Sequence, residues 1–408
     1  MNLENDHSPL RQWTEIIEGY WVCPKLEGEI FNKPLMPGDE IISWNNNDYL
    51  SIASDQSLFN IKKEGSTFPL GSQPMTGNKS AYNRLETKLA LHAKKEQALF
   101  LTTEHQGMVS IIDTLLKRND VVIYDAECHA YTIDGVKLHE GLRLPFKHND
   151  IGSLEKCLER AEKHCATSRG TILVISEGIF SMRGDQGKIK EIAKLKKKHS
   201  FTFMLDDAYG FGILGKSGRG THEHQGVANK VDLYFATFTK AMASTGGFIA
   251  GSDRIIQFLR NNTSSQNYSP TPSLILISGL EKRLDTIIKA TKQRKVLNTI
   301  TNSLQNNLRQ SGFNLGTTNT YITPIHLKGT PYEAKAIVRD LRKTYKVFCS
   351  MVFYPVAQKG EIILRLIPTC SYTEEDIDHT IFAFTCIANK LARNEYSELT
   401  EQYKTKKG

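Results

Sequence analysis

Strand-like and helix-like segments alternate through the middle of this 408-residue chain, and this alternation constrains the fold more than any other feature. Short apolar runs bounded by Gly, Pro, Asn or Asp read as strands, and the longer segments between them carry apolar residues at helical spacing. The alternation therefore predicts an α/β fold with a mostly parallel sheet and helices on both faces. The predicted strands are Gln97–Leu101, Val121–Tyr124, Gly141–Pro145, Thr171–Ser176, Phe201–Leu205, Val231–Thr237 and Gly247–Gly251, the last of which reverses direction.

Two consecutive strands of this series end in residues that can do chemistry. The run Phe201–Leu205 leads into Asp206, and the run Val231–Phe238 leads into Thr239 and Lys240. Parallel α/β sheets hold their ligands at the carboxyl ends of their strands. Pyridoxal phosphate (PLP) needs a lysine for a Schiff base and an acid that keeps its pyridine nitrogen protonated, so that the ring acts as an electron sink. Each segment alone would equally suit a loop acid or a surface lysine, whereas the pair favours PLP.

The composition is that of an ordinary soluble globular protein, with 39% hydrophobic and 24% charged residues and a net charge of +8. Much of the positive charge lies in two lysine-rich runs, Lys194–Lys198 and Lys404–Lys407. No aromatic residue interleaves with the first run, and no nucleic-acid-binding motif accompanies either. We therefore expect solvated faces and no nucleic-acid partner, while a weak attraction to anionic lipid or acyl-CoA stays open.

The cysteine pattern indicates a reducing compartment. The seven cysteines are scattered and form no CxxC pair, so neither a disulfide framework nor a zinc site is expected, and no other metal. The first residues lack the basic-then-apolar pattern of a signal peptide, and no apolar run approaches the roughly 20 residues that span a bilayer. The sequence predicts a cytoplasmic protein without a membrane span, for which peripheral membrane association stays open.

Changes in pattern divide the chain into three predicted parts. These are an N-terminal segment (1–60), a large domain (61–290) and a C-terminal α+β domain (291–408). A helical pattern from about Thr271 to Gln310 links the last two. The C-terminal part has predicted strands at Thr323–Leu327, Val347–Val352 and Ile362–Ile367 and predicted helices at Ala334–Lys343 and Glu374–Asn394.

Several motifs in one order identify a family that the chain resembles. They are Asn47-Asp48-Tyr49-Leu50, the segment Asp125–Gly135 around His129, the segment Ser176–Asp185, and Thr237-Phe238-Thr239-Lys240 followed by Gly246-Gly247-Phe248. Together they resemble the α-oxoamine synthases, PLP enzymes of the aspartate-aminotransferase fold that include serine palmitoyltransferase, 8-amino-7-oxononanoate synthase and glycine C-acetyltransferase. The resemblance covers roughly residues 40–385. It implies fold-type-I architecture with a mostly parallel seven-stranded sheet, a small C-terminal α+β domain, and a homodimer with active sites at its interface.

The resemblance assigns roles around the cofactor. Lys240 takes the position of the Schiff-base lysine, Asp206 that of the partner of the pyridine nitrogen, and His129 that of the histidine that stacks on the ring. These three are the expected catalytic residues. Ser181 corresponds to a contact near the phenolic oxygen of the cofactor, and Thr237 to a contact with the phosphate or with that oxygen.

Other cofactor contacts depart from the family pattern. Thr103 and Glu104 stand where the family has Gly-Phe in its phosphate-binding turn; backbone donors survive this change, but an acid beside a phosphate is unfavourable unless its side chain turns away. Tyr209 replaces a histidine that hydrogen-bonds the cofactor O3′, and a phenol can donate the same bond although it titrates at about 10. Thr271 aligns with a segment that reaches the phosphate in the partner subunit, although helix N-capping explains it equally well.

Substrate contacts are expected from two residues. Asn47 belongs to a turn that reaches the active site in the family, and Arg365 matches an arginine near the substrate carboxylate, whose geometry suits a planar guanidinium. A plain polar turn and a surface ion pair explain these residues equally well. Tyr372 stands where the family has a histidine.

The resemblance predicts a PLP-dependent C-acyltransferase that condenses an amino acid with an acyl-CoA or acyl-carrier thioester and releases CO2 to give an α-oxoamine. Gly246–Gly251 and Val347–Cys349 look most like the lipid-forming branch, which makes sphingolipid and sulfonolipid precursors. One alternative is an enzyme like 8-amino-7-oxononanoate synthase or glycine C-acetyltransferase. The other is a PLP-binding paralogue that no longer condenses and acts as a scaffold or partner subunit, an idea motivated by Thr103, Glu104, Tyr209 and Tyr372.

Overall fold

The described part of the chain forms two compact units. The computed structural model describes residues 35–36, 39–53, 55, 58, 71–72, 75, 80–353 and 357–397. The larger unit comprises Asn47–Ser181 and Asp185–Lys295; the smaller unit gathers the described residues up to 46, residues 182–184 and those from 296 onward. Most of the predicted segment 1–60 lies outside the described residues. The predicted boundaries after residues 60 and 290 stay predictions.

The described residues contain 16 strands, numbered here in chain order. They are β1 (Leu35–Met36), β2 (Asp39–Glu40), β3 (Ile42–Ser43), β4 (Gln97–Leu101), β5 (Val121–Asp125), β6 (Leu142–Phe146), β7 (Ile172–Glu177), β8 (Ile179–Phe180), β9 (Asp185–Gln186), β10 (Thr202–Asp206), β11 (Leu233–Thr237), β12 (Gly247–Gly251), β13 (Thr323–Lys328), β14 (Val347–Phe348), β15 (Ser350–Val352) and β16 (Glu361–Leu366).

The same residues contain 12 helices. They are α1 (Ser80–Ala93), α2 (Glu104–Leu115), α3 (Ala130–Leu138), α4 (Ile151–Ser168), α5 (Ile189–Leu195), α6 (Thr221–His224), α7 (Asp253–Asn262), α8 (Ser264–Asn267), α9 (Leu274–Lys289), α10 (Thr291–Gln310), α11 (Pro331–Thr344) and α12 (Glu374–Ala392).

The larger unit is built on a seven-stranded sheet with the strand order β4-β12-β11-β10-β7-β5-β6. All neighbours among β11, β10, β7, β5 and β6 are parallel, whereas β12 runs antiparallel to both β11 and β4. The predicted mostly parallel sheet is confirmed, and so is the reversal at β12. The central strands are continuous apolar runs because both faces of the sheet are covered; in β10 every residue after Thr202 is buried.

The prediction of one helical stretch over 271–310 is wrong. This stretch contains two helices, α9 and α10, with a break at Ala290, whose backbone (φ −74°, ψ 36°) leaves the helical region. The guanidinium of Arg294 donates to the carbonyl of Ile287 at 2.8 Å, which satisfies a carbonyl in the last turn of α9. Apolar residues recur at helical spacing across the break, so the sequence pattern does not indicate it.

The smaller unit has its own core beneath a three-stranded antiparallel sheet, β13-β16-β15. The predicted single strand over 347–352 is wrong, because β14 pairs in parallel with β3 and β15 pairs with β16. Tyr372 lies in this core: its ring stacks on Trp44 with centroids 4.1 Å apart, and its phenol donates to the carbonyl of Ser43. The tyrosine at this position therefore supports packing within the smaller unit.

None of the described helices is both long enough and apolar enough to cross a bilayer.

Candidate active site

The carboxyl ends of the parallel strands form one edge of the sheet, and most of the predicted cofactor residues follow these ends. In the register of the sheet Asp206 lies opposite Glu177 of β7, and Thr237 of β11 lies opposite Gly247 of β12. Gly247 in turn lies opposite Leu101, the last residue of β4. The turn that carries Thr103 and Glu104 therefore starts at the same edge as Thr237 and Asp206.

Asp206 is the acid at the centre of this edge, and it is 1% exposed. Its Oδ2 accepts a hydrogen bond from the phenol of Tyr131 at 2.6 Å, and its Oδ1 accepts one from the backbone N–H of Ala208 at 3.1 Å. Burial raises the pKa of Asp206 to about 6, although both hydrogen bonds and the charge of Lys240 act in the opposite direction. At neutral pH Asp206 is therefore an anion in a dry environment.

Glu177 is a second buried acid beside Asp206. Its Oε1 accepts a hydrogen bond from the backbone N–H of His129. Burial and the charge of Asp206 raise the pKa of Glu177 well above its ordinary value. Because two neighbouring carboxyl groups in one apolar environment cannot both ionise cheaply, Asp206 carries the charge and Glu177 keeps its proton.

Lys240 follows β11 in a tight loop. Its Nζ lies 4.9 Å from the centroid of the Tyr209 ring and donates to the Thr239 hydroxyl at 3.3 Å. The Thr239 hydroxyl lies 3.2 Å from that of Thr237. The structure thus brings Lys240, Tyr209 and Thr237 together, and the charge of Lys240 acts on both Asp206 and Glu177.

Asp207 faces away from this cluster and has a structural environment. It is fully buried, and it accepts hydrogen bonds from the backbone N–H and hydroxyl of Thr221 at 2.7 and 2.6 Å and from the phenol of Tyr234 at 3.0 Å. A Cβ at Gly178 or Gly210 would lie about 2 Å from the Asp207 carboxylate, which explains why these positions are glycine. Asp207 therefore fixes the loop that follows β10.

His129 caps helix α3 and so lies at the same edge. Its Nδ1 accepts from the backbone N–H of Tyr131 at 3.4 Å, and the two rings have centroids 4.0 Å apart. Helix α3 begins at Ala130 because His129 caps it there. Ser181 is buried and follows β8 in the short hairpin that β8 forms with β9.

The predicted phosphate-binding turn has the geometry of an open helix N-terminus. Thr103 occupies the N-cap of α2, but its hydroxyl donates to Gln106 Oε1 at 3.0 Å and does not cap the helix. The N–H groups of the first turn of a helix have no partner within the helix and can donate hydrogen bonds to an anion. Glu104 is the first residue of α2, where a carboxylate suits the helix dipole but competes with a phosphate. Thr271 donates through its N–H and hydroxyl to the carbonyl of Gly71, at 3.1 and 2.9 Å.

Of the predicted substrate residues, Asn47 belongs to the larger unit and Arg365 to the smaller unit. Asn47 accepts a hydrogen bond from the Tyr49 phenol at 3.2 Å. Arg365 lies in β16 of the smaller unit, where it is paired in register with Pro324 and Ser350. The substrate roles of Asn47 and Arg365 stay predictions.

The sequence analysis did not predict a buried ion cluster that lies at the ends of β5 and β6. His148, which follows β6, contacts Asp125 at the end of β5 through Nδ1 and Asp185 of β9 through Nε2, at 3.0 Å each. The two carboxylates raise the pKa of His148 to about 10 against the opposing effect of burial. A charged imidazole therefore ties the loop before His129 to the hairpin that holds Ser181.

The donor set at this edge suits pyridoxal phosphate. It offers an amine at Lys240, a buried anion at Asp206 for a protonated ring nitrogen, hydroxyls at Thr237 and Thr239, and helix N–H groups for a phosphate. The carboxylate of Glu104, the first residue of α2, is unfavourable to a phosphate at that helix N-terminus.

Comparisons with known proteins show the family and the fold of this chain. The family profile described as aminotransferase class I and II matches residues 39–384. A solved serine palmitoyltransferase from Sphingomonas wittichii superposes with a TM-score of 0.85 at 22% identity and covers 98% of this chain and 99% of its own. The chain belongs to the aminotransferase class I and II family, whose fold it shares.

Curated relatives narrow the class to the α-oxoamine synthases. A cysteate-C-fatty acyltransferase from Capnocytophaga ochracea is 46% identical over 96% of this chain and 95% of its own length. A serine palmitoyltransferase from Bacteroides thetaiotaomicron is 31% identical, over 88% and 90%. An 8-amino-7-oxononanoate synthase from Fervidobacterium nodosum is 30% identical, over 87% and 90%. This chain is accordingly a PLP-dependent C-acyltransferase of that group.

Proposed function

We propose that this chain condenses cysteate with a fatty-acyl thioester, as the first step of a sulfonolipid-type synthesis. The observation that carries this proposal is the 46% identity to a cysteate-C-fatty acyltransferase over nearly the full length of both chains. Identity to a serine palmitoyltransferase is 31%, which makes serine the second candidate amino acid.

The reaction joins the α-carbon of the amino acid to the acyl carbonyl carbon. The carbon–sulfur bond of the thioester breaks and its thiol leaves, and the α-carboxylate of the amino acid leaves as CO2. Bound PLP supplies the electron sink that makes the α-carbon nucleophilic. We assign the proton transfer at the α-carbon to the Lys240 amine, which lies beside Tyr209 and within range of the Asp206 charge.

The remaining residues hold and orient the cofactor. The Asp206 carboxylate supplies a fixed negative charge for the ring nitrogen, and burial strengthens that interaction because water does not screen it. The Thr237 hydroxyl and the N-terminus of α2 are assigned to the phosphate end, and His129 to the ring face. Ser181 and Thr271 keep their predicted roles as further cofactor contacts.

The structure weakens the scaffold alternative in one respect. Tyr372, one of the four residues that motivated it, packs on Trp44 and hydrogen-bonds Ser43 in the core of the smaller unit. Its departure from the family histidine is explained by packing and does not indicate lost activity. A homodimer, which the family resemblance implies, belongs to the same proposal. So does a cytoplasmic location, which the cysteine pattern favours, with association at a membrane surface.

A substrate panel tests the proposed function. The purified protein is titrated with glycine, alanine, serine and cysteate while its visible spectrum is recorded, and acyl-CoAs of different lengths are then added while released thiol and CO2 are measured. We expect cysteate to change the spectrum at the lowest concentration and a long-chain acyl-CoA to release thiol. Lys240→Ala serves as the control without spectral response. A preference for serine would favour the second candidate, and a spectrum that responds without thiol release would favour a non-condensing paralogue.

A further inference from the structure

Tyr131 donates a hydrogen bond to Asp206, the buried acid of the site, and none of the assigned roles uses this tyrosine. Its phenol donates to Asp206 Oδ2 at 2.6 Å, and the two side chains are 3% and 1% exposed. Tyr131 belongs to the first turn of α3, two residues after the cap His129. Its ring is held between His129, at 4.0 Å between centroids, and Phe235 of β11, at 5.8 Å.

The groups that face Asp206 oppose one another. Burial and Asp207 favour the protonated acid, while the two hydrogen bonds and Lys240 favour the carboxylate. Among the latter, the bond from Tyr131 has the largest effect on the pKa of Asp206. Burial and the charge of Asp206 raise the pKa of Tyr131 well above its usual value, which keeps the phenol a neutral hydrogen-bond donor to the carboxylate.

We propose that Tyr131 is a positioning residue for the cofactor ring: its phenol orients the Asp206 carboxylate and keeps it ionised for a protonated ring nitrogen. A phenol is long enough to reach from α3 to the end of β10, and its packed ring fixes the direction of the O–H bond. The inference rests on the proposed role of Asp206 in the larger unit. It explains why a bulky donor is built into the helix that His129 caps.

The test measures the affinity of the full-length, cofactor-stripped protein for 4′-deoxypyridoxine 5′-phosphate. This probe has the ring and phosphate of the cofactor but no aldehyde. It therefore forms no Schiff base with Lys240, and its affinity reports non-covalent binding alone. Tyr131→Phe keeps the aromatic ring and removes only the donor. Loss of a hydrogen bond to a charged group raises the pKa of the acid by about one to two units.

The expected signature is a pH-dependent ratio of dissociation constants. At pH 5, where the acid must lose its proton to bind a pyridinium, Tyr131→Phe should bind the probe about 10- to 100-fold more weakly than wild type. At pH 9, where Asp206 is ionised in both proteins, the ratio should fall to within about twofold. A purely structural role for Tyr131 would give the same ratio at both pH values.

Tyr234→Phe is the matched control. Tyr234 is a buried tyrosine whose phenol donates to the neighbouring acid Asp207 at 3.0 Å. Its removal should lower stability without a pH-dependent ratio for the probe. The positioning role is refuted if the ratio for Tyr131→Phe is the same at pH 5 and pH 9, or if Tyr234→Phe shows the same pH dependence.

Two further measurements separate the possible failures. If the assignment of Asp206 is wrong, Asp206→Asn leaves probe affinity unchanged at all pH values; if only the role of Tyr131 is wrong, Asp206→Asn weakens binding while Tyr131→Phe does not alter its pH profile. Should Tyr131→Phe fail to fold, 3-fluorotyrosine at position 131 provides a stronger donor. It should lower the pH at which probe binding is half-lost on the acidic side, and an unchanged pH midpoint refutes the proposal.

Discussion

Replacing His148 by glutamine should destabilise the larger unit by about 3–5 kcal/mol near pH 6. The imidazole lies between the carboxylates of Asp125 and Asp185 at 3.0 Å from each, and the Asp125 side chain is fully buried. Removing one partner of a buried ion cluster leaves uncompensated charge, which typically costs about 3–5 kcal/mol. Glutamine can donate to one carboxylate but brings no positive charge.

The same variant has a predicted pH dependence with a definite sign. The pKa of His148 is about 10 in the folded protein against 6.5 for an ordinary histidine. A group whose pKa is raised on folding contributes its full stabilisation below its unfolded pKa and loses it as pH rises through the folded pKa. The difference in free energy of unfolding between wild type and His148→Gln should therefore be largest below about pH 6.5 and shrink to about 1 kcal/mol near pH 10, where the neutral imidazole still makes one hydrogen bond.

Urea unfolding of the full-length protein at pH 6, 8 and 10, followed by circular dichroism, measures this difference. His199→Gln is the matched control, because His199 also lies between two carboxylates, Glu162 at 2.9 Å and Glu155 at 3.8 Å, but these are partly exposed. Solvent screening limits that cluster to about 1 kcal/mol or less. A pH-independent difference for His148→Gln, or equal costs for the two variants, would refute the reasoning.

Three further results are expected. Asp206→Asn should fold but bind PLP weakly. Asp207→Asn should cost about 3 kcal/mol in urea unfolding, because it disturbs the bonds to Thr221, and should weaken PLP binding much less than Asp206→Asn does. Tyr209→Phe should shift the pH titration of the visible spectrum, and an unchanged titration would show that the phenol does not contact the cofactor. Tyr372→Phe should lower stability by about 1–2 kcal/mol, because the Ser43 carbonyl loses its donor, with PLP affinity within about twofold of wild type by equilibrium dialysis.

The sheet was predictable because its strands are long apolar runs separated by helices. β4 and β12 were placed to the residue, and the other five strands differ by two residues or fewer at either end. The β8–β9 hairpin was not found, since two-residue strands carry no period that a sequence can show. The break at Ala290 was also invisible, because no glycine or proline marks it.

The sequence predicted those residues of the candidate site that stand at the carboxyl end of a recognisable strand. Asp206 and Lys240 stand at strand ends, so their convergence follows from the parallel sheet. The ion cluster of His148 joins residues 23 and 37 positions apart through tertiary packing, and no local pattern encodes that. Tyr131 lies inside a motif that was recognised, but the family resemblance supplied a role for His129 alone, and only the structure shows the contact to Asp206.

The central claim is that Lys240 carries the cofactor, and chemical trapping tests it most directly. The purified protein with bound PLP is reduced with borohydride, which fixes the cofactor to the lysine it is linked to, then digested and mapped by mass spectrometry. The pyridoxyl group should lie on Lys240, and Lys240→Ala should take up none. A pyridoxyl group on any other lysine of the wild-type protein would contradict the assignment of the active site.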